Sequence, residues 1–204
     1  MNVIQRATQH QHLSHDGTTE MYSRVNGIIP VETARSMVQM AIKDVQNPNV
    51  AGVARWIVRD LVDENMSPFA AIMSEVQAIE NFVIQRIRYT RDPYGVELVY
   101  SPSRVVDFIS RYTRWAEDCD TQALLILTFF LAIGRQARLV IAGFHEKGIY
   151  THVFCEVFVP SEGEMPARWV IVDPSTGKNV AKMASSIKTS LRFYPSGKIE
   201  PLDT

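Results

Sequence analysis

Cys119 is the residue whose surroundings most clearly suggest chemistry. It lies in the segment W-A-E-D-C-D-T-Q-A, and residues 123–133 beyond it are apolar apart from one threonine. A helix made from such a run has no polar face and must be buried all round. Asp118 or Asp120 can cap its first turn by accepting a hydrogen bond from a backbone N–H. The pattern predicts a central helix that carries Cys119 at its N-terminus.

The thiol of Cys119 faces two opposing influences. A helix N-terminus lowers the pKa of a cysteine thiol, and the thiolate is the nucleophilic form. Asp118 and Asp120 are negative neighbours and raise the same pKa. A nucleophilic role therefore requires a cationic partner. The alternative is a small apolar residue at the start of a core helix, because free cysteines are usually buried and inert.

A predicted β-hairpin supplies such a partner. Residues 151–159 and 168–173 alternate in the manner of strands, and the segment S-E-G-E-M-P-A between them has the composition of a hairpin loop. With the turn centred in this loop, His152 lies directly opposite Asp173. Side chains opposite each other on one face are about 5 Å apart at their Cβ atoms. An imidazole and a carboxylate at this separation can hydrogen-bond, which supports the protonated ring.

The residues Cys119, His152 and Asp173 together form a candidate catalytic triad of nucleophile, base and orienting carboxylate. His145 is the rival base, but no opposing carboxylate can be placed beside it. Taken singly, His152 is better explained by a structural role at a strand start, and Asp173 by a turn before Pro174. The order of the three residues and the elements that carry them favour the catalytic interpretation.

Helices are predicted before the cysteine and strands after it. The predicted helices cover about residues 30–45, 50–61, 67–87 and 101–112, and the predicted strands cover 96–100, 138–144, 151–159, 168–173 and, weakly, 191–194. Gly134 can end the central helix in the left-handed conformation. The order of elements predicts the α+β class, in which a central buried helix packs against an antiparallel sheet and a helical region precedes both.

Three regions follow from this order. Residues 1–29 are polar and are interpreted as an N-terminal arm, residues 30–88 as a helical region packed on the core, and residues 89–204 as the core with a C-terminal extension. The arm contains three histidines in an H-x-H-x-x-H spacing, which could ligate a metal. No cysteine or carboxylate cluster accompanies them, so a mobile tail or docking arm is preferred and no metal site is predicted.

The composition and the cysteine spacing limit the classes of binding partner and the cellular compartment that can be expected for this protein. The net charge of −1 gives no electrostatic reason to expect nucleic acid or an anionic membrane. The N-terminus lacks the apolar core of a signal peptide, and the apolar run after Cys119 is too short to span a bilayer. Cys119 and Cys155 form no C-x-x-C pair. These features predict a soluble protein of a reducing compartment that binds neither nucleic acid nor membrane.

The segments E-D-C-D-T-Q-A, A-I-G-R-Q-A-R-L-V, T-H-V-F-C-E-V and W-V-I-V-D-P-S resemble the transglutaminase-like superfamily, thiol enzymes of the papain-like fold. The resemblance covers about residues 115–176. It implies that Cys119 is the nucleophile, His152 the general base and Asp173 its orienting residue. The upstream segment I-R-Y-T-R-D-P-Y-G-V-E-L-V-Y-S-P further resembles the branch that tailed bacteriophages and prophages encode.

Two positions depart from the family pattern. Glu117 stands where the family often has glycine, and R-Q stands where it often has I-P after the glycine that ends the helix. Neither position belongs to the triad. Glu117 is expected to add a negative charge near the thiol of Cys119, which opposes a strong lowering of the thiol pKa.

The resemblance implies a cysteine-dependent amide hydrolase or acyltransferase without a cofactor, which acts on a protein or peptide through a thioester on Cys119. The oxyanion would be held by the backbone N–H of Cys119 and by an aromatic or amide side chain upstream. The candidates for that second donor or for a substrate contact are Trp115, Tyr94 and Tyr100, together with Tyr89.

The alternative is a structural or assembly protein of a phage particle that keeps the fold without catalysis. The helical region ahead of the core, the polar arm and the acidic residues around Cys119 motivate it. Its partners would be phage structural proteins, and it would be associated with the virion. As an enzyme, the protein is expected in the cytoplasm of the host cell.

Overall fold

The structure is a computed structural model that describes residues 12–15, 19–23, 29, 31–61, 65–92 and 96–203. The α-helices are α1 (Val31–Asp44), α2 (Pro48–Val58), α3 (Pro68–Arg86), α4 (Pro102–Tyr112), α5 (Cys119–Ala132) and α6 (Val180–Ser185). The strands are β1 (His12–His15), β2 (Thr19–Ser23), β3 (Ile87–Tyr89), β4 (Val96–Tyr100), β5 (Trp115–Glu117), β6 (Ala137–Gly143), β7 (His152–Val159), β8 (Arg168–Val172), β9 (Thr189–Phe193) and β10 (Ile199–Asp203).

Three of the helices start with the same device, a polar cap followed by proline. The Asn47 side chain accepts hydrogen bonds at the start of α2, Ser67 at the start of α3 and Ser101 at the start of α4. A proline at the first helical position fits because its missing N–H would have no partner there. The four helices predicted before the cysteine are confirmed, with ends that differ from the predicted ones by a few residues.

Helix α5 is the centre of the molecule. Every residue from Cys119 to Phe130 is buried, as the apolar run predicts. Gly134, with φ of 78°, follows its C-terminal end, where the N–H of Arg135 donates to the carbonyl of Phe130. This left-handed glycine ends the helix as predicted. The predicted arrangement of a buried central helix against an antiparallel sheet, preceded by helices, is confirmed.

The main sheet has five strands in the order β10-β9-β6-β7-β8, all antiparallel. One face, with Leu139, Ile141 and Cys155, joins the core around α5. The opposite face carries a smaller cluster in which Val140 and Phe154 meet Met183 of α6. Because side chains alternate along a strand, this two-sided burial explains why β6 is buried along its whole length.

The register of the β7–β8 hairpin differs from the predicted one by two residues. The structure pairs Cys155 with Val172 and Glu156 with Ile171. His152 and Asp173 are therefore diagonal neighbours, and the expectation that they lie directly opposite each other is wrong. A shift of two residues keeps each side chain on its predicted face, whereas a shift of one would have separated the pair.

Several short elements have no clear signal in the sequence. Strands β1 and β2 lie in the predicted polar arm, where β2 pairs with β4; the rest of residues 1–28 lies outside the described part of the chain. Strands β3 and β5 form a separate parallel pair, and β10 continues the main sheet. None of the helices among the described residues is long and apolar enough to cross a membrane.

The close approach of Gly143 to the loop before β7 generates a prediction. A Cβ atom at Gly143 would lie 2.0 Å from the backbone carbonyl oxygen of Ile149. Because the backbone at Gly143 and at Ile149 must move apart to make room, Gly143→Ala is expected to lower the free energy of unfolding by on the order of 3 kcal/mol. Urea denaturation followed by circular dichroism measures the change.

The matched control is Gly52→Ala. Gly52 lies in α2, and a Cβ atom there would meet nothing within 4 Å. Alanine should therefore raise the free energy of unfolding by about 0.5–1 kcal/mol through its better helix propensity. Equal effects of the two substitutions would show that the approach of the loop to Gly143 is not as close as described.

Candidate active site

The N-terminus of α5 presents a buried thiol between two buried carboxylates. Asp118 is the N-cap, and its Oδ1 accepts from the backbone N–H of Asp120 at 3.1 Å. Cys119 is 6% exposed, and its Sγ donates to Oδ1 of Asp120 at 3.6 Å. The cap predicted for this helix is present, and Asp118 rather than Asp120 provides it.

His152 and Asp173 form a close hydrogen-bonded pair. His152 Nε2 lies 2.6 Å from Oδ2 of Asp173, whose other oxygen accepts from the backbone N–H of Ser175 at 3.1 Å and from its hydroxyl at 2.6 Å. Burial acts to raise the pKa of Asp173, but the hydrogen bond and charge of His152 and the hydrogen bonds of Ser175 and Thr176 outweigh it, so the pKa is lowered. An ionised Asp173 requires the proton on Nε2 of His152.

The imidazole ring of His152 is also held by aromatic neighbours. Phe144 and Phe154 are its aromatic neighbours, with ring centroids 6.3 and 6.0 Å from that of the imidazole. The ring is therefore fixed both by a carboxylate and by packing, and its Nδ1 is the nitrogen not used by Asp173. This is the tautomer in which Nδ1 can accept a proton.

The structure brings His152 and Asp173 of the predicted triad into contact. Cys119, the third member, lies on a helix that packs against the strand of His152. Helix α5, which begins at Cys119, packs directly against β7, which begins at His152. The thiol of Cys119 donates to Oδ1 of Asp120, and Nε2 of His152 is bonded to Asp173. The role of each residue in catalysis stays a prediction.

Glu117 differs from what the sequence led us to expect. It is 5% exposed, and one carboxyl oxygen accepts the indole N–H of Trp115. Burial, with smaller contributions from the charges of Asp118 and Asp92, raises its pKa to about 8, and the hydrogen bond of Trp115 only partly offsets this. Near pH 7 the carboxyl is therefore about nine-tenths neutral. The expectation that Glu117 places a negative charge near the thiol is wrong at this pH.

Tyr89 lies at the end of the parallel ladder that precedes the cysteine helix. It pairs in register with Glu117, and the N–H of Thr90 donates to the Glu117 carbonyl at 2.9 Å. Burial and then the charges of Cys119 and Asp118 raise the pKa of Tyr89, against the hydrogen bond and charge of Arg91. The phenol therefore keeps its proton and is a hydrogen-bond donor in the environment of Cys119.

The other predicted oxyanion or substrate contacts have different surroundings. The indole N–H of Trp115 is taken by Glu117, and its ring stacks on Phe108 with centroids 4.1 Å apart. The ring of Tyr100 meets Phe108 edge-on at 6.0 Å and lies under the guanidinium of Arg104. Tyr94 lies outside the described residues.

Glu80 is a neighbour of the site that no sequence signal identified. This half-buried residue of α3 faces Asp173: burial and the charge of Asp173 raise its pKa, and the backbone N–H of Asp173 acts in the opposite direction. Its position in the helical pattern is that of an ordinary surface residue. Only the packing of α3 beside the end of β8 reveals the contact.

A family model described as the transglutaminase-like superfamily matches residues 56–174. This range is more than half of the chain and contains Cys119, His152 and Asp173. The chain belongs to the transglutaminase-like superfamily. The family resemblance noted in the sequence is thereby confirmed, and so is the predicted fold class. No curated protein matches the chain.

Several solved structures are similar to this chain. A candidate protease from Parabacteroides distasonis is 12% identical, with 96% of this chain and 40% of that chain covered and a TM-score of 0.48. A candidate cysteine protease from Cytophaga hutchinsonii is 13% identical, with coverages of 96% and 73% and a TM-score of 0.46. Rad4–Rad23 crosslinked to undamaged DNA is 10% identical, with coverages of 88% and 50% and a TM-score of 0.45.

The raised pKa of Glu117 predicts a pH-dependent stability. In the unfolded chain this carboxyl titrates near its ordinary value of 4.5, and in the folded chain near 8. Because the folded state binds the proton more tightly, the free energy of unfolding should fall as the pH rises between these values, by on the order of 4 kcal/mol. Glu117→Gln keeps a neutral acceptor for Trp115 and should remove this fall. Urea unfolding at about pH 5.5 and about pH 8.5 measures it.

Glu164→Gln is the control, because Glu164 is exposed in the turn between β7 and β8. It makes the same chemical change without touching the buried site, so its stability should follow that of the unsubstituted protein at both pH values. If Glu117→Gln lost stability in parallel with the unsubstituted protein at high pH, Glu117 would have to be ionised in the folded state.

Proposed function

We propose that the protein is a cysteine-dependent amide hydrolase or acyltransferase that forms a thioester on Cys119. The observation that carries the proposal is the His152–Asp173 hydrogen bond at one end of the hairpin against which the cysteine helix packs. Membership of the transglutaminase-like superfamily supports it. The substrate is a protein or peptide.

The reaction begins with the transfer of the thiol proton. On substrate binding, the Cys119 side chain turns from Asp120, and Nδ1 of His152 takes its proton while Asp173 stabilises the imidazolium. The sulfur attacks the carbonyl carbon of an amide, and a tetrahedral intermediate forms. The imidazolium then gives its proton to the leaving nitrogen as the C–N bond breaks, which leaves a thioester on Cys119.

The second half of the reaction restores the thiol. His152 removes a proton from water or from an amine, and the resulting nucleophile attacks the thioester. Water yields a carboxylic acid, and an amine yields a new amide. In both cases the sulfur leaves and takes back the proton from the imidazolium.

The oxyanion of each tetrahedral intermediate needs hydrogen-bond donors at fixed positions. We assign one to the backbone N–H of Cys119, at the start of α5, and the other to the phenol of Tyr89. Tyr89 suits the second role because its raised pKa keeps the O–H protonated and because its ladder partner is Glu117, two residues before the cysteine.

A second candidate is a protein that keeps this fold for assembly rather than catalysis, for instance in a phage particle, with phage structural proteins as partners. The observation in its favour is the hydrogen bond of the thiol to Asp120, which stabilises the protonated, unreactive form of the cysteine. In that case Cys119 is a small buried residue of the helix cap, and its replacement by serine leaves particle assembly intact.

Alkylation separates the two candidates. At about pH 6.5, an activated Cys119 should react with iodoacetamide roughly ten- to thirtyfold faster than a free thiol, and His152→Ala should remove the advantage. Cys155 is the internal control, because it is fully buried and burial raises its pKa well above the ordinary value. Peptide mapping by mass spectrometry assigns each label.

Proximity is tested by 1,3-dibromoacetone, which alkylates a thiol and then a nucleophile within a few ångströms. The expected product joins the peptides of Cys119 and His152, and Cys119→Ala abolishes it. If Cys119 reacts at the rate of a free thiol in both the unsubstituted protein and His152→Ala, and no joined peptides form, the catalytic proposal fails and the assembly function remains.

A further inference from the structure

A groove runs along the parallel ladder that leads to the cysteine. It has a volume of about 450 Å³ and is lined by Ile84, Gln85, Arg88, Arg114, Trp115 and Ala116. These residues come from the end of α3, from β3, and from β5 with the residue that precedes it. We call it the ladder groove. Two of its six lining residues are arginines, which makes it a place where negative charge is favoured.

The charges of these two arginines are not neutralised by neighbours. Arg88 and Arg114 are both exposed, and within the described part of the chain neither forms an ion pair with an acidic side chain. Other arginines of the molecule are paired: Arg111 meets Asp107 at 2.9 Å, and Arg135 meets Glu75 at 2.6 Å. The ladder groove therefore keeps two guanidinium groups available for a ligand.

The residues of the groove and those of the candidate active site follow one another along the same strands. Arg88 pairs with Ala116, the next pair of the ladder is Tyr89 with Glu117, and α5 begins two residues later. Three extended residues span at most about 10 Å. Because side chains alternate along a strand, Arg88 and Ala116 face away from Glu117. A peptide that passes over the end of the ladder could therefore place one residue at the thiol and a residue two or three positions away in the groove.

Charge decides which residue the groove would accept. A guanidinium binds a carboxylate through two parallel hydrogen bonds, and Trp115 and Ile84 offer apolar surface to the methylene groups of the same side chain. Close to the thiol the opposite holds, because the buried carboxyl groups of Asp118 and Asp120 offer an incoming carboxylate no cationic partner. An acidic side chain is therefore directed away from the thiol and towards the groove.

We propose that the ladder groove is a specificity subsite that binds an aspartate or glutamate of the peptide acyl donor, two or three positions from the residue that Cys119 attacks. The proposal rests on the proposed function for its peptide substrate. It adds the substrate class, a peptide with an acidic residue beside the reacting amide.

Binding measured without turnover tests the subsite. Cys119→Ala is the host protein, and the probes are two fluorescein-labelled peptides of alanine and glycine with a central glutamine. One carries glutamate two positions before the glutamine, and the other carries lysine there. At low salt the glutamate peptide should bind about five- to tenfold more tightly, and the preference should shrink in about 0.5 M salt.

Charge reversal gives the sharper result. In the same host, Arg88→Glu combined with Arg114→Glu should reverse the preference, so that the lysine peptide binds more tightly. Arg55→Glu, on an exposed position of α2 away from the groove, is the matched control and should keep the preference for glutamate. The milder variants Arg88→Gln and Arg114→Gln, each expected to weaken the preference, replace the double variant if it does not fold.

Three outcomes overturn the subsite: equal binding of the two peptides, a preference unchanged by charge reversal, or tighter arginine-dependent binding of a single-stranded oligonucleotide than of either peptide. The last outcome would make the groove a polyanion site. The test is separate from the alkylation of Cys119. If the peptides show a charge-dependent preference but the thiol is unreactive, the acidic subsite is supported and the enzymatic function is contradicted. If the thiol is reactive but the peptides show no preference, only the subsite is contradicted.

Discussion

The burial of α5 from Cys119 to Phe130 is the constraint on which the rest of the structure depends. A helix that is apolar on all sides gains its stability only by being surrounded, and here the surrounding extends over its first turn. Glu117, Asp118, Cys119 and Asp120 are therefore all withdrawn from water. Burial turns these residues into a coupled group, because the ionisation of each depends on what its neighbours can donate or accept. The chemistry of the thiol follows from the packing of the helix.

The same constraint shows why some features could be predicted from the sequence and others could not. The helices before the cysteine have caps such as Ser67 and Ser101, followed by apolar residues at helical spacing, so their signals are local. The central helix is also predicted from a local signal, because its apolar run has no polar face and must be buried on all sides. In contrast, β3 and β5 have three residues each and exist because they pair with each other across the fold. No window of sequence contains that information.

Some features of the candidate site could likewise be predicted from the sequence, and others could not. His152 and Asp173 could be paired because the position of the turn in an antiparallel hairpin determines which residues of the two strands are neighbours. The predicted register was wrong by two residues, but a shift of two keeps both side chains on the same face of the sheet. The neutrality of Glu117 could not be predicted, because a glutamate in sequence carries a charge until its burial is known. Tyr89 could not be ranked above the other aromatic candidates for a related reason: its pairing with Glu117, two residues before the cysteine, is made across the fold.

The hydrogen bond between the thiol and Asp120 bears directly on the proposed mechanism. A carboxylate that accepts from Sγ stabilises the protonated thiol, and the backbone N–H groups at the start of a helix stabilise the thiolate. These two effects oppose each other, and the neutral Glu117 leaves the balance to Asp118 and Asp120. On the proposed mechanism, a substrate carbonyl near the sulfur excludes water and strengthens the attraction between thiolate and imidazolium, which shifts the proton to His152. The resting protein would then hold mainly a thiol, together with a minority of the reactive thiolate–imidazolium pair, and the substrate would complete the shift to the ion pair.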